Sequence, residues 1–298
     1  MFSLSRQVLK SSSSVINLLR MSTTPTYETL SVTVPKEFVY HVELSRPEKL
    51  NAMNRTMWLE IGKCFENLDT DEDCRVIVLS GAGKLFTAGL DLSDATQAEI
   101  IASSEDDVAR RAKKLYDTIT KYQDGITSLE KCRKPVIAAI HSACIGGGIN
   151  IATAADMRYC TKDAWFQVKE VELGIAADVG VLQRLPKVIG SDSLARELCY
   201  TARKLHAAEA LSCGLVQEVF EDKTQMLNKV LCVAEEIAKK SPVAVQGTKY
   251  ALVYARDHTV QEGLDQQKLW NQAMLQSEDV RNAITAMLTK EKPVFSKL

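Results

Sequence analysis

Short apolar segments alternate with helix-like segments over residues 38–221, and this alternation limits the fold more than any other feature of the sequence. Segments such as "FVYHVEL" (38–44) and "PVIAAI" (135–140) are short and apolar, which predicts strands. "NRTMWLEIGKCFENLDTD" (54–71) has helical periodicity instead. Its apolar residues on one predicted face are Met57, Ile61, Phe65 and Leu68. Strands that alternate with helices predict an α/β core.

The remaining segments divide the chain into a mixed part and a helical tail. A long polar helix is predicted over about 105–131. Further strands are predicted at "CRVIVLSG" (74–81), "MRYCTK" (157–162), "WFQV" (165–168) and "LVQEVF" (215–220). Beyond about residue 222 we expect three or four helices with apolar residues on more than one face, for example Leu252, Val253 and Tyr254. Such a tail must pack on the core or on another subunit.

Composition excludes several classes of protein. The chain has 298 residues and is 46% hydrophobic, which is enough for a large core. Its formal net charge of −1 gives no global field that would attract nucleic acid or a membrane. No apolar run approaches the length of a membrane span. The eight cysteines form no C-x-x-C pair, and several, such as Cys160 and Cys232, have apolar neighbours, which predicts reduced, buried thiols in an intracellular protein.

Both ends of the sequence resemble targeting signals. Residues 1–27 carry Arg6, Lys10 and Arg20 among serines and apolar residues, with no acidic residue before Glu28. This composition is typical of a mitochondrial transit peptide, although a disordered tail has a similar one. The sequence ends in "SKL" (296–298), the C-terminal peroxisomal signal. We therefore expect the mitochondrial matrix and the peroxisome as destinations, with the corresponding import receptors as partners.

Two glycine-rich segments are candidates for ligand binding. "SGAGKLFTAGLDL" (80–92) is not a P-loop, because Leu85 follows Lys84, and Phe86 excludes a dinucleotide fingerprint. A β-turn with Asp91 as a helix cap is the simpler interpretation of this segment. The second segment is the glycine triplet 146–148 in "HSACIGGGIN", between a predicted strand and a predicted helix. It indicates a tight turn, a ligand close to a helix N-terminus, or both.

Other chemistries find no support in the sequence. The four histidines lack the spacing of a metal site, and His141 is expected to be a structural hydrogen-bonding residue. No Gly-x-Ser-x-Gly elbow is present, which argues against a serine hydrolase. A basic cluster lacks interleaved aromatic residues, so a solvated helix face is favoured over an RNA site. It consists of Arg110, Arg111, Lys113 and Lys114.

Two acidic residues lie in apolar surroundings. Glu170 follows the predicted strand "WFQV", and Asp178 lies within "GIAADVG" (174–180). A buried carboxylate is costly unless it is paired or functional. Burial raises a carboxyl pKa, which suits proton transfer near neutral pH. The alternative for Asp178 is a helix cap ahead of "VGVLQRL".

These motifs together resemble the crotonase, or enoyl-CoA hydratase/isomerase, superfamily from about residue 35 to the C-terminus. The segments that carry the resemblance are "SRPEKLNAMN", "SGAGKLFTAGLDL", "KPVIAAIHSACIGGGINIATAADMRYC" and "FQVKEVELGIAADVGVLQRLPKVIG". "KEVELGIAADVG" and the terminal "SKL" are most similar to the members that isomerise dienoyl-CoA thioesters.

The resemblance implies an α/β fold with a crotonase-like core of repeated ββα units and a C-terminal helical trimerisation region. The expected division is a leader (1–27), the core domain (28–221) and the helical oligomerisation region (222–298), with trimers or dimers of trimers as the assembly. The expected ligand is an acyl-CoA thioester substrate, with no cofactor, metal or nucleic acid.

The resemblance also implies the site residues. The backbone N–H groups of Leu90 and Gly147 would hold the thioester oxygen, and a side chain at position 147 would crowd the thioester. Glu170 would act as the base at carbon 2 and Asp178 as the acid at carbon 6, or the reverse. The expected substrate-binding residues are Ala88, Gly89, Leu90, Asp91, Leu92, Gly147 and Asn150.

Asn150 departs from the superfamily pattern, which has glutamate here in hydratases and usually aspartate in dienoyl-CoA isomerases. An amide cannot transfer a proton at neutral pH, so Asn150 argues against hydration of the substrate. Two other functions remain open at this point. One is a Δ3,Δ2-enoyl-CoA isomerase, which needs a single acid, and the other is a non-catalytic acyl-CoA-binding or RNA-binding relative.

Overall fold

The computed structural model describes residues 25–94 and 107–298. The predicted leader lies almost entirely outside these residues. The strands are β1 (Leu30–Lys36), β2 (Val39–Leu44), β3 (Val76–Gly81), β4 (Val136–Ile140), β5 (Ala143–Ile145), β6 (Met157–Thr161), β7 (Trp165–Gln167), β8 (Leu205–His206) and β9 (Val219–Phe220). The α-helices are α1 (Arg55–Thr70), α2 (Val108–Lys131), α3 (Gly147–Ala154), α4 (Val181–Ile189), α5 (Asp192–Thr201), α6 (Ala207–Ser212), α7 (Lys223–Ala238), α8 (Pro242–Ala255), α9 (Val260–Met274) and α10 (Glu278–Thr289). None of these helices has both the length and the apolar character needed to cross a membrane.

The strands form two sheets that the chain visits in alternation. Six strands lie in the order β1-β2-β3-β4-β6-β9, and three lie in the order β5-β7-β8. Only β1 and β2 are antiparallel within the larger sheet. The chain passes from β4 to β5 to α3, and then from β6 to β7 to α4. Each pass adds one strand to each sheet and then a helix, which confirms the predicted ββα repeat.

Both faces of the larger sheet are buried, as expected for parallel strands. Along β3, Ile77 and Leu79 belong to the main hydrophobic core, whereas Val76 and Val78 belong to a second cluster. Helix α7 completes this second cluster with residues spaced by four, Met226, Val230, Ala234 and Ala238. The first helix of the predicted tail therefore packs on the chain's own sheet. The domain boundary between residues 221 and 222 stays a prediction from the sequence. It would assign α7 and the sheet on which α7 packs to different domains.

Several predicted elements have the expected places. Helix α1 begins after Asn54, whose side chain accepts a hydrogen bond from the Met57 amide. Its four predicted core residues are all buried. Helix α2 begins at Val108 with Asp107 as its N-cap, and residues 105 and 106 lie outside the described residues.

Other expectations were wrong. The segment "LVQEVF" is a strand only at Val219–Phe220, whose ladder partners lie in β6, and Leu215 and Val216 are buried in the loop before it. Strand β1 had not been predicted.

The eight cysteines are free, and six are buried. Cys232, however, is exposed, because it lies on the opposite side of α7 from the residues that pack on the sheet.

Four helices form the tail, and they differ in how they contact the core. Helix α8 is anchored by Lys249, which is buried and donates to the carbonyl oxygens of Leu129 and Lys134 and pairs with Asp156 at 2.8 Å. Large apolar side chains stay exposed on α8, α9 and α10. Examples are Leu252, Leu264, Leu269, Met287 and Leu288.

Candidate active site

The amide of Leu90 is held in a defined direction by Met53. The Met53 amide donates to the Gly89 carbonyl at 2.7 Å, and the Asp91 amide donates to the Met53 carbonyl at 3.1 Å. Met53 and Leu90 thus form a parallel β-bridge, in which Met53 is hydrogen-bonded to the residue before Leu90 and to the residue after it. The N–H of Leu90 therefore points to the side opposite Met53 and has no acceptor among the described residues.

The amide of Gly147 is free for a different reason. Gly147 is the first residue of α3, so its N–H has no acceptor within the helix. The turn ahead of it depends on Gly146, whose φ of +50° lies in the left-handed region that favours glycine. The segments of Leu90 and Gly147 meet at Gly89, where a Cβ atom would lie 2.8 Å from the Ile145 carbonyl oxygen and 3.7 Å from the Gly146 nitrogen.

Protein side chains fill the space beside Gly147. A Cβ atom there would lie 2.8 Å from both Met53 Sδ and the Trp58 ring. A side chain at position 147 would therefore collide with Met53 and Trp58, and the expected crowding of the thioester stays a prediction.

Glu170 lies beside the start of α3. It opens the 3-10 turn Glu170–Leu173 just after β7, and its Oε1 would be 3.8 Å from a Cβ atom on Gly146. Its Oε2 is buried and has no hydrogen-bond partner among the described residues. Burial is the main cause that raises the pKa of Glu170, and the negative charge of Asp178 raises it further, whereas a hydrogen bond from Asn150 lowers it. Glu170 thus has an unpaired carboxylate oxygen, and its carboxyl group lies beside Gly146, the residue that precedes the Gly147 amide.

Asn150 connects Glu170 to helix α4. It is fully buried, and its Oδ1 accepts a hydrogen bond of 2.6 Å from the Val181 amide. Because that backbone amide can only donate, the Asn150 oxygen must face it, and the Nδ2 group faces the other way. Nδ2 lies 3.3 Å from the Gly146 carbonyl oxygen and 3.4 Å from Glu170 Oε1. Asn150 therefore presents a hydrogen-bond donor, and no proton acceptor, to Glu170.

Asp178 lies just ahead of α4. It does not cap that helix, since Gly180 is the N-cap residue and no side-chain cap hydrogen bond forms. Its main-chain carbonyl accepts a hydrogen bond of 2.6 Å from Gln123 Nε2 on α2. The residue is exposed in the single chain, so the expected burial was wrong. The surrounding protein still desolvates the carboxylate enough to raise the pKa of Asp178.

The other predicted substrate-binding residues have mixed roles. Asp91 is buried and pairs with Arg46 at 2.8 Å. Hydrogen bonds from Ser93 and Arg46 hold the pKa of Asp91 below its ordinary value. The Ala88 amide donates to the Leu50 carbonyl at 3.0 Å, and Leu92 is 72% exposed. Asp91 and Ala88 thus shape the loop that carries Leu90, and Leu92 lies at its rim.

Residues that no motif pointed to support the segments of Leu90 and Gly147. Trp58 donates from Nε1 to the Met53 carbonyl at 3.1 Å and stacks on Tyr122 with ring centroids 5.0 Å apart. Asn51 is buried, and its Nδ2 lies within hydrogen-bond distance of the carbonyls of Ala82, Leu85 and Phe86. The motif "SRPEKLNAMN" contained Asn51 and Met53, but nothing in their spacing indicated these contacts.

Two predictions about non-catalytic residues are confirmed. His141 is buried, and its Nε2 lies 3.0 Å from the Gly83 carbonyl oxygen, a structural contact. Arg110 lies on an exposed face of α2 and pairs with the helix cap Asp107. Within residues 25–94 and 107–298, no group of three or more His, Cys, Asp or Glu side chains is placed to hold a metal ion.

The site combines two kinds of group. Two free backbone amides can stabilise negative charge on a carbonyl oxygen, and one of them stands at a helix N-terminus. Two carboxyl groups with raised pKa values lie on separate segments, so they can exchange protons at two different points of one ligand.

Comparisons with known proteins identify the family to which the chain belongs. The family model described as enoyl-CoA hydratase/isomerase matches residues 35–297. A mouse protein named Delta(3,5)-Delta(2,4)-dienoyl-CoA isomerase, mitochondrial, is 54% identical over 275 residues, which cover 91% of this chain and 84% of that protein. The Arabidopsis thaliana protein of the same name, peroxisomal, is 46% identical over 260 residues, which cover 87% of this chain and 93% of that protein.

Solved structures share the fold. The crystal structure of enoyl-CoA hydratase from Bacillus anthracis gives a TM-score of 0.80 at 27% identity and covers 90% of this chain and 99% of that one. The putative enoyl-CoA hydratase from Streptomyces coelicolor gives a TM-score of 0.82 at 25% identity, with 94% and 98% covered.

Proposed function

The chain belongs to the enoyl-CoA hydratase/isomerase family, and from that premise we infer that it is an isomerase that converts 3,5-dienoyl-CoA to 2,4-dienoyl-CoA. Relatives with that name match most of the chain at 46–54% identity. The reaction belongs to the β-oxidation of unsaturated fatty acids. The substrate is the CoA thioester itself, and the proposed chemistry needs no cofactor.

We propose that proton removal and proton return are divided between the two carboxyl groups. Glu170 takes a proton from carbon 2, and the electrons move into a dienolate whose charge collects on the thioester oxygen. The Leu90 and Gly147 amides donate to that oxygen, and one such donor typically contributes about 3 kcal/mol to transition-state stabilisation. Asp178 then gives a proton to carbon 6, which leaves double bonds at carbons 2 and 4. The reverse assignment of the two carboxyl groups balances equally well.

The raised pKa of Asp178 and the hydrogen bond from Asn150 to Glu170 support this division. A neutral Asp178 is a proton donor, and a raised pKa keeps more of it neutral near pH 7. Glu170 must be ionised to act as the base, and the Asn150 hydrogen bond favours that form. Asn150 replaces the second acid that would activate water, so hydration of 2-enoyl-CoA should be slow.

The observation that carries the proposal is the unpaired Oε2 of Glu170, whose carboxyl group lies beside Gly146, the residue before the free Gly147 amide. The test is an assay of purified protein with 3,5-dienoyl-CoA, monitored by the absorbance of the conjugated 2,4-dienoyl product. We expect turnover of this substrate to exceed turnover of a 3-enoyl-CoA and hydration of a 2-enoyl-CoA. Preference for the 3-enoyl-CoA would indicate a Δ3,Δ2-enoyl-CoA isomerase, and hydration at a comparable rate would overturn the proposed chemistry.

We also propose that the protein is delivered to both the mitochondrial matrix and the peroxisome. Named relatives occur with each of the two locations, and the sequence carries a signal typical of each. Deletion of residues 296–298 should abolish the peroxisomal pool and spare the mitochondrial pool. Peroxisomal protein that persists after the deletion would show that "SKL" is not the signal.

A further inference from the structure

The segment that carries Asp178 (174–180) is fixed at its two ends. At its start, the Ile175 amide donates to the Glu170 carbonyl at 3.2 Å. At its end, the next residue, Val181, donates its amide to a side chain of α3 at 2.6 Å. The segment itself forms no helix or strand. The position of Asp178 therefore depends on contacts made between these two ends.

The middle of the segment has two kinds of contact. Ala177 and Val179 are buried in the main hydrophobic core, whereas Asp178 between them is exposed. Apolar burial is non-directional, so it does not fix the direction of a peptide group. Gln123 Nε2 on α2 donates to the Asp178 carbonyl at 2.6 Å. Among the described residues, no other element forms a hydrogen bond with the main chain of Ala177, Asp178 or Val179.

A cavity lies between α2 and the end of the segment. Its volume is about 330 Å³, and its lining includes Gln123 and Thr127 from α2 and Val179 and Gly180 from the segment. Dispersion contacts are lost across such a space. Helix α2 therefore supports the Asp178 main chain mainly through the hydrogen bond from Gln123.

Helix α2 is itself held in a fixed relation to α4. Gln123 shares one helix face with Thr127 and Glu130, because these residues are four and three positions apart. Arg184 of α4, which is buried, donates from Nη2 to Thr127 Oγ1 at 3.0 Å and to Glu130 Oε2 at 2.9 Å. Gln123 thus reaches Asp178 from a helix that is already tied to the element after the segment.

The direction of the Asp178 carboxyl group is important because the dienolate can accept a proton at more than one carbon. Removal of a proton from carbon 2 spreads the negative charge over carbons 2, 4 and 6. A proton returned to carbon 2 restores the substrate, one added at carbon 4 gives 2,5-dienoyl-CoA, and one added at carbon 6 gives 2,4-dienoyl-CoA. Displacement of a reacting group by about 1 Å can cost about 10²-fold in rate.

We propose that Gln123 is a positioning residue that holds Asp178 at carbon 6 of the dienolate and thereby selects the conjugated product. The inference rests on the proposed isomerase function. Gln123 acts through Asp178, because the carbonyl carbon and the side chain are attached to the same Cα atom. A fixed carbonyl therefore limits the directions open to the carboxyl group. Without this hydrogen bond the dienolate still forms at Glu170, but its proton returns more often to carbon 2 or carbon 4.

The test measures two rates with 3,5-dienoyl-CoA in heavy water. One is deuterium exchange at carbon 2 of recovered substrate, and the other is formation of the 2,4-dienoyl product. Gln123→Leu keeps the size of the side chain, removes the donor and is expected to fold, because Gln123 is exposed. We expect kcat for the product to fall by about 10- to 100-fold while KM and the exchange rate change little. The ratio of exchange to product should therefore rise, and 2,5-dienoyl-CoA should increase.

Two further variants separate positioning from stability. Gln123→Lys retains a donor of similar reach and should keep the ratio of exchange to product near the wild-type value. Thr127→Val removes a hydrogen bond to Arg184 on the same face of α2, so it should lower the free energy of unfolding and leave the ratio unchanged. A wild-type ratio in Gln123→Leu, or an equal rise in Thr127→Val, would overturn the proposal. Wild-type protein that forms no 2,4-dienoyl product would overturn the proposed isomerase function, and this inference with it.

Discussion

At the scale of single residues, Asn150 distinguishes this site from one built on three carboxyl groups. Its orientation is fixed by the Val181 amide, so Glu170 receives a donor where an aspartate would place a second negative charge. Asn150→Asp removes that donor and adds a charge, and both changes raise the pKa of Glu170.

This reasoning predicts a change in the pH profile. The ionised base is lost as pH falls through its pKa, so the acid limb of kcat/KM reports Glu170 or the coupled pair. In Asn150→Asp we expect that limb to move to higher pH by roughly one unit, with isomerisation retained. Asn228→Asp, on the exposed side of α7, serves as the matched control and should leave the limb in place. An unchanged limb in Asn150→Asp would contradict the assigned orientation.

A second prediction concerns Asp178. Asp178→Asn keeps the size of the side chain but removes its titration, so isomerisation should fall by about 10²- to 10⁴-fold. Exchange of the carbon 2 proton with solvent deuterium should partly survive, because Glu170 and the two amides still form and hold the enolate. Glu170→Gln should suppress that exchange, and Asp192→Asn on the surface of α5 should change neither rate. An active Asp178→Asn enzyme would show that the proton at carbon 6 comes from another group.

The family resemblance implied the candidate site residues, whereas the sequence did not predict their surroundings. The structure brings together the segments of Leu90, Gly147, Glu170 and Asp178, and the roles of these residues stay predictions. The exposure of Asp178 and the contact between Gly147 and Trp58 could not be read from the sequence, because both depend on how distant segments pack. Residue type indicates possible chemistry, whereas burial and neighbours follow from the fold.

At the scale of elements, the start of α3 is the point most sensitive to the addition of a side chain. In Gly147→Ala the new methyl group would press on Met53 and Trp58 at 2.8 Å, and overpacking of this kind typically costs about 1–3 kcal/mol. The shift also displaces an oxyanion donor, so we expect kcat to fall by about 10²-fold or more. Gly263→Ala in α9 is the control, because a Cβ atom there meets nothing within 4 Å. The two variants are compared by kcat and by urea unfolding, and normal activity of Gly147→Ala would contradict the role of its amide.

Helix α7 shows that periodicity predicts a helix but not the surface on which the helix packs. The segment was predicted as helical, but its partner, the outer face of β3 and β4, could not be identified from the sequence alone. Strands buried on both faces read as continuous apolar runs, so they do not reveal which face a later helix covers.

The packing of α7 predicts that the tail contributes to the stability of the core. Met226 is fully buried against the sheet, so Met226→Ala should lower the free energy of unfolding by about 2–5 kcal/mol in a single cooperative transition. Cys232→Ala, on the exposed side of the same helix, should change it by less than about 0.5 kcal/mol. A separate early transition for the tail in chemical denaturation would instead favour an independent C-terminal unit.

At the scale of the whole molecule, the exposed apolar side chains of the tail indicate a surface that binds another protein chain. Val260 is 81% exposed, Met287 80% and Leu269 68%, on helices that follow one another in the chain. Beside the site, Val171, Leu173 and Ile175 are also exposed. Large apolar surfaces of this kind mark sites of association. We propose that copies of the chain associate through these helices, as the family resemblance implies.

Sedimentation of the full-length protein should therefore give a mass that is a multiple of three chains at micromolar concentration. Leu269→Asp places a charge on the apolar surface and should shift the population toward smaller species, because an unpaired charge in an interface is costly. Lys229→Glu, on the exposed side of α7, changes charge without entering that surface and should leave the assembly intact. If Asp178 is covered only in the assembly, Leu269→Asp should also reduce isomerase activity, in parallel with the loss of large species. A stable, fully active monomer would contradict both the association and its contribution to the site.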